Sequence, residues 1–139
     1  MRTTTAAGLV LFNSGAIYRL LRKEAEKSGV RWTQITLLKD IELLTPVTQK
    51  ELATVNHLSG PSISVAMNEM VDQGLVRRTT NPLDRRSANL SLTNKGRRRL
   101  EQDGAKLERC LVPLLSRLSK QETAALIDAE SALARVLAP

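Results

Sequence analysis

The segment NPLDRRSANLSLT, residues 81–93, combines charged residue types that could bind an anion. Asp84 precedes two adjacent arginines, Arg85 and Arg86, in a stretch with the turn signals and alternation of a β-hairpin tip and its return strand. Adjacent guanidinium groups repel one another unless an anion lies opposite them. The tip therefore predicts contact with a negatively charged partner. We also expect Asp84 to form a local ion pair that holds Arg86 extended.

The positive charge of the chain is concentrated around this tip. Residues 77–99 contain one acid and eight basic residues, whereas the rest of the 139-residue chain sums to zero, so the segment carries the whole net charge of +7. The basic residues are Arg77, Arg78, Arg85, Arg86, Lys95, Arg97, Arg98 and Arg99. A solvated basic surface is the alternative interpretation, but solubilising charge runs are usually interspersed with acids. The cluster favours a surface that binds a polyanion such as nucleic acid.

Length and composition favour one mainly helical domain. Aromatic residues make up only 2% of the chain and hydrophobic residues 42%, so aliphatic side chains must form the core. No stretch has the roughly 20 apolar residues of a membrane span, and we expect a cytoplasmic protein. Cys110 is the only cysteine and His57 the only histidine, which predicts no disulfide framework, no metal site and no cofactor.

Apolar spacing and capping signals divide the chain into short elements. Thr48-Gln-Lys-Glu51 and Ser119-Lys-Gln-Glu122 are capping boxes that predict helix starts. A helix that begins at Asn94 should be interrupted by Pro113. The remaining elements are predicted as helices over 9–27, 32–44 and 61–73, and as strands over 75–80 and 89–93.

The helix over 61–73 has the properties of a DNA recognition helix. It follows the short helix of the first capping box through the turn Leu58-Ser59-Gly60-Pro61, and the basic hairpin comes directly after it. Such an arrangement is a winged helix-turn-helix, and a helix of this length, about 20 Å, fits the major groove of B-DNA. Its apolar stripe should face the core with Ile63, Met67, Met70 and Val71, which leaves Ser62, Ser64, Val65 and Asn68 outside.

The sequence resembles the MarR family of bacterial transcription regulators over essentially its whole length. The matching positions are Asp84-Arg85-Arg86 followed by Leu92-Thr93, together with Asn81-Pro82, Leu52-Ala53 and Gly74-Leu75-Val76. The resemblance implies a mainly α fold with a small β-hairpin wing whose Arg86 enters the minor groove. It implies a homodimer, whose two-fold axis predicts a pseudo-palindromic operator. We expect a repressor, although the sequence leaves open whether binding represses or activates transcription. The resemblance also implies possible relief by a small anionic or phenolic ligand, or by cysteine oxidation.

On this basis we expect a single domain with two functional parts. Residues of about 31–99 should form the DNA-binding lobe, and the helices within 1–30 and 100–139 should form the dimer interface. We expect double-stranded DNA as the partner and no membrane contact. The candidate DNA-binding residues are Thr48, Gln49, Ser62, Ser64, Val65, Asn68, Arg77, Arg78, Asp84, Arg85, Arg86 and Lys95.

Two positions depart from the pattern of the family. Val65 stands where many relatives have an arginine, and residues 61–74 contain no Lys or Arg, so phosphate and wing contacts should dominate the affinity. Val65 could instead contact a thymine methyl group. Asn56 stands where an apolar residue is usually buried, so it either bonds to the backbone or the register shifts by one.

Several interpretations stay open at the level of sequence. Cys110 is either a redox sensor or core filler. Consecutive arginines fan around a helix, so only one of Arg97, Arg98 and Arg99 should meet a phosphate. A winged helix could also bind RNA or another protein. An enzyme is disfavoured, because the sequence shows no nucleophile-base pair, metal cluster or phosphate-binding glycine loop.

Overall fold

A computed structural model describes residues 5–138 of the chain. The first four residues of the predicted 1–30 segment and residue 139 of the predicted 100–139 segment lie outside this range. The described residues form six helices and three short strands. Their order is α1 (Ala6–Ser28), α2 (Trp32–Leu44), β1 (Val47–Thr48), α3 (Gln49–Val55), α4 (Gly60–Asp72), β2 (Val76–Thr80), β3 (Ala88–Leu92), α5 (Asn94–Leu115) and α6 (Lys120–Leu137).

The three strands form one antiparallel sheet in the order β1-β3-β2. The predicted hairpin pairs Val76 with Leu92 and Thr80 with Ala88. Strand β1, which the sequence did not predict, pairs Val47 with Leu90 on the other side of β3. Two residues are too few to show an alternating pattern, so β1 is recognisable only through its partner.

The core lies between α2, α3, α4 and the sheet. Ile41 and Met67 are completely buried, and Met70 is almost so, as the predicted apolar stripe of the recognition helix requires. Other large side chains with almost no exposure include Leu37, Leu38, Leu52, Ile63, Leu75 and Leu90. Aliphatic and methionine side chains thus form the core of a mainly α fold with a β-hairpin wing, which confirms the predicted fold class.

The predicted interruption of α5 at Pro113 is wrong. The helix continues to Leu115 with Pro113 in its last turn. A proline removes one backbone amide donor from a helix. Because only Leu114 and Leu115 follow Pro113 in α5, this loss costs little stability at this position. Helix α1 also exceeds its predicted bounds, because the hydroxyl of Thr5 caps it by accepting from the Gly8 amide at 3.1 Å.

Asn56 adopts the first of the two predicted alternatives and bonds to the backbone. Its Nδ2 donates to the Leu52 carbonyl at 3.0 Å and to the Asp40 carboxylate at 2.9 Å. Both bonds compensate for a polar residue that lies half-buried behind α3. The register of the helix-turn-helix is therefore kept, and His57 forms the turn with a positive φ of 52°.

The start of α5 packs closely against the strand region. Thr93 caps α5 by accepting from the Gly96 amide at 3.0 Å and also donates to the Gly74 carbonyl at 2.6 Å. A Cβ on Gly96 would lie 2.0 Å from the Leu75 carbonyl oxygen. Only glycine fits this approach, which joins α5 rigidly to the sheet.

The helices at the two ends of the chain expose many apolar side chains. Helix α6 has no buried residue, and Ile127 and Val136 on it are 60% and 80% exposed. On α1, Leu9, Phe12 and Ile17 are about half exposed although they belong to its predicted apolar face. Within the described range, these helices leave most of their apolar surface uncovered.

Candidate nucleic-acid interface

Helix α4 is positioned by its caps and by its buried stripe. The Ser59 hydroxyl accepts from the Ser62 amide at 3.2 Å, and Pro61 occupies the first turn, where its missing amide is no loss. Upstream, Thr48 and Glu51 form the predicted capping box of α3. The buried Ile63 and Met67 fix the rotation of α4, so the opposite face points away from the core.

The outward face of α4 carries the predicted base-reading side chains. Ser62 and Asn68 are exposed, Ser64 is half-buried, and Val65 is 68% exposed. This face has no basic residue, as the sequence predicted. Its polar and apolar groups are hydroxyl, amide and methyl groups, all of which can contact base edges.

A groove of about 900 Å³ lies between α3, the start of α4 and the hairpin. Three cationic side chains contribute to its lining, Lys50, Arg78 and Arg86, and no Asp or Glu is among the described residues that line it. The predicted candidates Thr48, Gln49 and Ser64 also line it, together with Ala53, Thr54, His57, Leu58, Gly60, Ile63, Ser87, Ala88 and Leu90. The groove thus has the charge expected of a polyanion site.

Lys50 is a groove residue that the sequence analysis missed. It is exposed in the first turn of α3, next to Gln49. The capping box was the signal that could have identified it, because the box places Thr48 at the N-cap and Lys50 at the second helical position.

Four of the predicted DNA-binding side chains bond to one another, and we call them the recognition network: Gln49, Ser64, Asn68 and Arg78. Arg78 Nη2 donates to Asn68 Oδ1 at 2.9 Å and to Gln49 Oε1 at 3.2 Å. Gln49 Nε2 donates to Ser64 Oγ at 2.9 Å. The network connects the hairpin to both helices of the helix-turn-helix.

Arg77 and Arg78 lie on opposite faces of the hairpin. Arg78 pairs with Leu90 across the strands, on the face that carries the buried Val76 and Leu92. Arg77 pairs with Ser91 on the other face, because successive side chains of a strand alternate. The structure therefore brings Arg78, but not Arg77, to the recognition helix.

At the wing tip, the predicted ion pair between Asp84 and Arg86 is wrong. Asp84 Oδ1 accepts from the backbone amide of Arg86 at 2.9 Å, and none of the ion pairs among residues 5–138 includes Asp84. An Asp that accepts from the backbone amide two residues ahead forms a local turn. Asp84 therefore stabilises the backbone of the loop and does not hold the Arg86 side chain extended. Both Arg85 and Arg86 are exposed, and only Arg86 lines the groove.

The basic residues at the start of α5 lie outside the groove. Lys95 Nζ donates to the Gln73 carbonyl at the end of α4 at 2.7 Å. Arg99 is half-buried, with its Nη1 3.5 Å from Gln34 Oε1, whereas Arg97 and Arg98 are exposed. Of the three consecutive arginines, Arg99 is thus turned toward α2.

Cys110 is half-buried near Glu24, Lys106 and Arg109. Burial, and then the negative charge of Glu24, raise the pKa of its thiol. A raised pKa lowers the fraction of reactive thiolate, so the environment favours the structural interpretation of this cysteine over the redox one.

A second cavity of about 570 Å³ lies between α2 and α5 and extends to Leu21 on α1. Its apolar lining includes Trp32, whose ring contacts that of Tyr18 edge to face at a centroid distance of 5.4 Å. Its charged lining consists of one ammonium group and three carboxylates, contributed by Lys39, Glu42, Glu101 and Glu108.

Residues 5–138 contain neither a membrane-spanning helix nor a cluster of metal-ligating side chains. No helix in that range has the length and apolar character needed to span a membrane. The same residues contain no group of three or more His, Cys, Asp and Glu side chains able to hold a metal ion.

Comparison with known proteins relates this interface to a family. A model of the MarR family matches residues 28–87, which run from the last residue of α1 to the residue before β3. YdgJ, an uncharacterised HTH-type transcriptional regulator of Bacillus subtilis (strain 168), is 25% identical over 101 residues. That match covers 73% of this chain but 62% of the relative, less than two thirds of its length.

Solved structures share the fold over nearly the whole chain. A mutant of MarR from E. coli has a TM-score of 0.77 at 24% identity and covers 99% of both chains. A mutant of MepR from S. aureus, bound to an oligodeoxyribonucleotide, has a TM-score of 0.62 at 20% identity over 96% of this chain and 98% of that chain. The family model, which matches less than half of the chain, and these shared folds agree with the helix-turn-helix and wing described above, so the chain is similar to the MarR family in this part and has the winged helix-turn-helix fold.

Proposed function

We propose that this chain is a sequence-specific regulator that binds double-stranded DNA through α4 and the hairpin. The observation that carries the proposal is the groove that α3, the start of α4 and the hairpin enclose, where the described lining residues include three cationic side chains and no acidic one. With α4 in the major groove, the hairpin would overhang the neighbouring minor groove. The narrow, electronegative minor groove favours a guanidinium group, and Arg86 at the groove edge is suited to enter it.

The other predicted contacts divide by chemistry. Exposed side chains of α4 would read bases, whereas the predicted Thr48 and Arg85, and Lys50, which the sequence did not predict, would contact phosphates around them. Arg77 would reach only a phosphate beyond the groove, on the outer face of the hairpin. Lys95 already bonds to the end of α4, and we assign it the positioning of that helix.

We propose further that the active form is a homodimer. Helix α6 buries none of its apolar side chains within the chain, and a second copy packed on α1 and α6 would cover them. A two-fold axis between the copies would repeat the groove, so the operator should be an imperfect palindrome. Its half-sites should lie about one helical turn, roughly 10 bp, apart.

We propose that this binding represses transcription. A dimer bound across a promoter would exclude the polymerase, so added protein should reduce transcription from a template that carries the operator. The cavity between α2 and α5 offers a place for an effector. Because its lining holds three carboxylates and one ammonium group, it suits a neutral or cationic apolar molecule better than an anionic one.

Fluorescence anisotropy with operator duplex tests the proposal. If each subunit neutralises about 3–4 phosphates, log K against log salt should have a slope of about −5 to −7 for the dimer. Arg86→Ala should weaken binding by about 1–3 kcal/mol. Arg117→Ala removes the same charge beyond the far end of α5, about 33 Å along that helix from its start near the wing, and should leave the affinity nearly unchanged.

Two results would contradict the proposed partner. Equal weakening by both arginine variants would mean that Arg86 contributes only net charge. Preferential binding of single strands or of RNA over duplex DNA would favour the alternative of a winged-helix RNA module.

A further inference from the structure

Arg78 determines which atoms of the recognition network face outward. A guanidinium group can only donate hydrogen bonds, so any side chain that bonds to Arg78 must turn an acceptor toward it. Asn68 therefore turns its Oδ1 toward Arg78 at 2.9 Å, and Gln49 turns its Oε1 toward the same nitrogen at 3.2 Å. The orientation of both amides follows from this chemistry.

The same constraint passes from Gln49 to Ser64. Because Gln49 Oε1 faces Arg78, its Nε2 is directed toward Ser64 and donates to Ser64 Oγ at 2.9 Å. The Ser64 hydroxyl accepts this bond and retains its own hydrogen for donation. Among the described residues, no acceptor takes the hydrogens of Asn68 Nδ2 or of the Ser64 hydroxyl.

A free asparagine reads adenine with both amide atoms, accepting from N6 and donating to N7. Asn68 in this network has its oxygen engaged with a charged donor, which makes the stronger kind of hydrogen bond. Its outward-facing atom is the nitrogen. One lone pair of Oδ1 is thereby occupied, so both the two-bond pairing with adenine and a bond from the exocyclic amine of cytosine are disfavoured.

We infer that Arg78 is a specificity-determining residue that makes Asn68 and Ser64 read only hydrogen-bond acceptors in the major groove. Guanine presents two such acceptors, O6 and N7, and thymine presents O4, whereas adenine presents its N7 acceptor beside the N6 donor. Val65, 68% exposed between the two polar residues, adds an apolar contact suited to the thymine methyl group. The half-site contacted by α4 should thus be rich in guanine and thymine on the contacted strand. This inference rests on the proposed function.

Selection of bound sequences from a randomised duplex library tests it with the full chain. Asn68→Ala should lose preference at one base pair and so identify the pair that Asn68 contacts. There the wild type should favour guanine or thymine, while Arg78→Met, which frees Oδ1, should shift the ratio of adenine to guanine by about tenfold toward adenine. Arg77→Met is the matched control, since it removes an arginine from the opposite face of the hairpin, and should weaken binding without altering that ratio.

The possible outcomes distinguish failure of this inference from failure of the proposed function on which it rests. Duplex binding with adenine or cytosine preferred at the Asn68 position would overturn the inference alone. So would an unchanged ratio in Arg78→Met when measured beside Arg77→Met. Failure of the wild-type chain to retain any duplex from the library would overturn the proposed function and, with it, this inference.

Discussion

Helices α4 and α6 both begin with a serine cap, yet α4 buries Ile63, Met67 and Met70 whereas α6 buries nothing. The difference extends to their surroundings. A continuous core covers the buried apolar side chains of α4. On α1 and α6, by contrast, many apolar side chains are about half exposed or more. The part that we propose binds DNA thus has a complete core within one chain, and in our proposal a second chain covers the apolar faces of the terminal helices.

Core truncation should give the largest effect and should separate the two regions. Ile41→Ala removes a completely buried side chain and should destabilise the fold by about 2–5 kcal/mol at any protein concentration. Denaturant unfolding measures the loss through the transition midpoint.

Phe12→Ala is the counterpart on α1. Because Phe12 is 53% exposed within the chain, its truncation should weaken self-association by about tenfold or more and lower the midpoint mainly in dilute protein. If Phe12→Ala lowered the stability equally at all protein concentrations, the proposed difference between the terminal helices and the core around α4 would be contradicted.

Gly96 tests the junction of α5 with the sheet. A Cβ at this position would collide with the Leu75 carbonyl oxygen, so Gly96→Ala should destabilise by about 1–3 kcal/mol. Gly104→Ala lies on the same helix with nothing within 4 Å of the new Cβ and should stabilise by up to about 1 kcal/mol. Thermal unfolding of the two variants should give shifts of opposite sign; shifts of the same sign would show that the junction can move apart.

The two capping boxes should respond to acid in the same direction. The backbone amide of Thr48 at 2.8 Å and its hydroxyl at 2.9 Å lower the pKa of Glu51, and Ser119 does the same for Glu122. A lowered folded pKa means that the stabilisation is present above the ordinary glutamate pKa and is lost as the pH falls through the lowered value. Glu51→Gln should therefore lose less stability than wild type between about pH 5 and pH 3.

Glu122→Gln sharpens the comparison between the regions. The difference in acid sensitivity of unfolding between this variant and the wild type should appear only at protein concentrations at which a second chain covers α6. An equal response in dilute protein would mean that α6 is stabilised within a single chain.

Local sequence patterns predicted the helices and the hairpin well, whereas contacts between residues distant in sequence could not be predicted from them. The bounds of α2 and both capping boxes follow from neighbouring residues, because apolar spacing and cap chemistry act within a few positions. Strand β1 and the bond from Arg78 to Asn68 depend on how elements pack, which no local pattern encodes. The ion pair assigned to Asp84 was wrong because the nearer backbone amide of Arg86 competes for the same carboxylate.

The smallest expected effect concerns Cys110. Burial and Glu24 raise the pKa of its thiol, so it should react with a thiol reagent at neutral pH more slowly than free cysteine. The rate should rise as the pH increases toward that raised pKa, and Glu24→Gln should accelerate it. Oxidant-sensitive DNA binding that Cys110→Ser abolishes would instead support a redox sensor.

Sedimentation velocity of the chain with and without an operator duplex tests the central claim most directly, since it reports both assembly and partner. We expect a dimer at micromolar concentration without DNA and two chains on each duplex with two half-sites, reduced in affinity by Arg86→Ala. A monomer that binds DNA as one chain per duplex, or a dimer that leaves the duplex unbound, would contradict the proposal that two paired grooves recognise one operator.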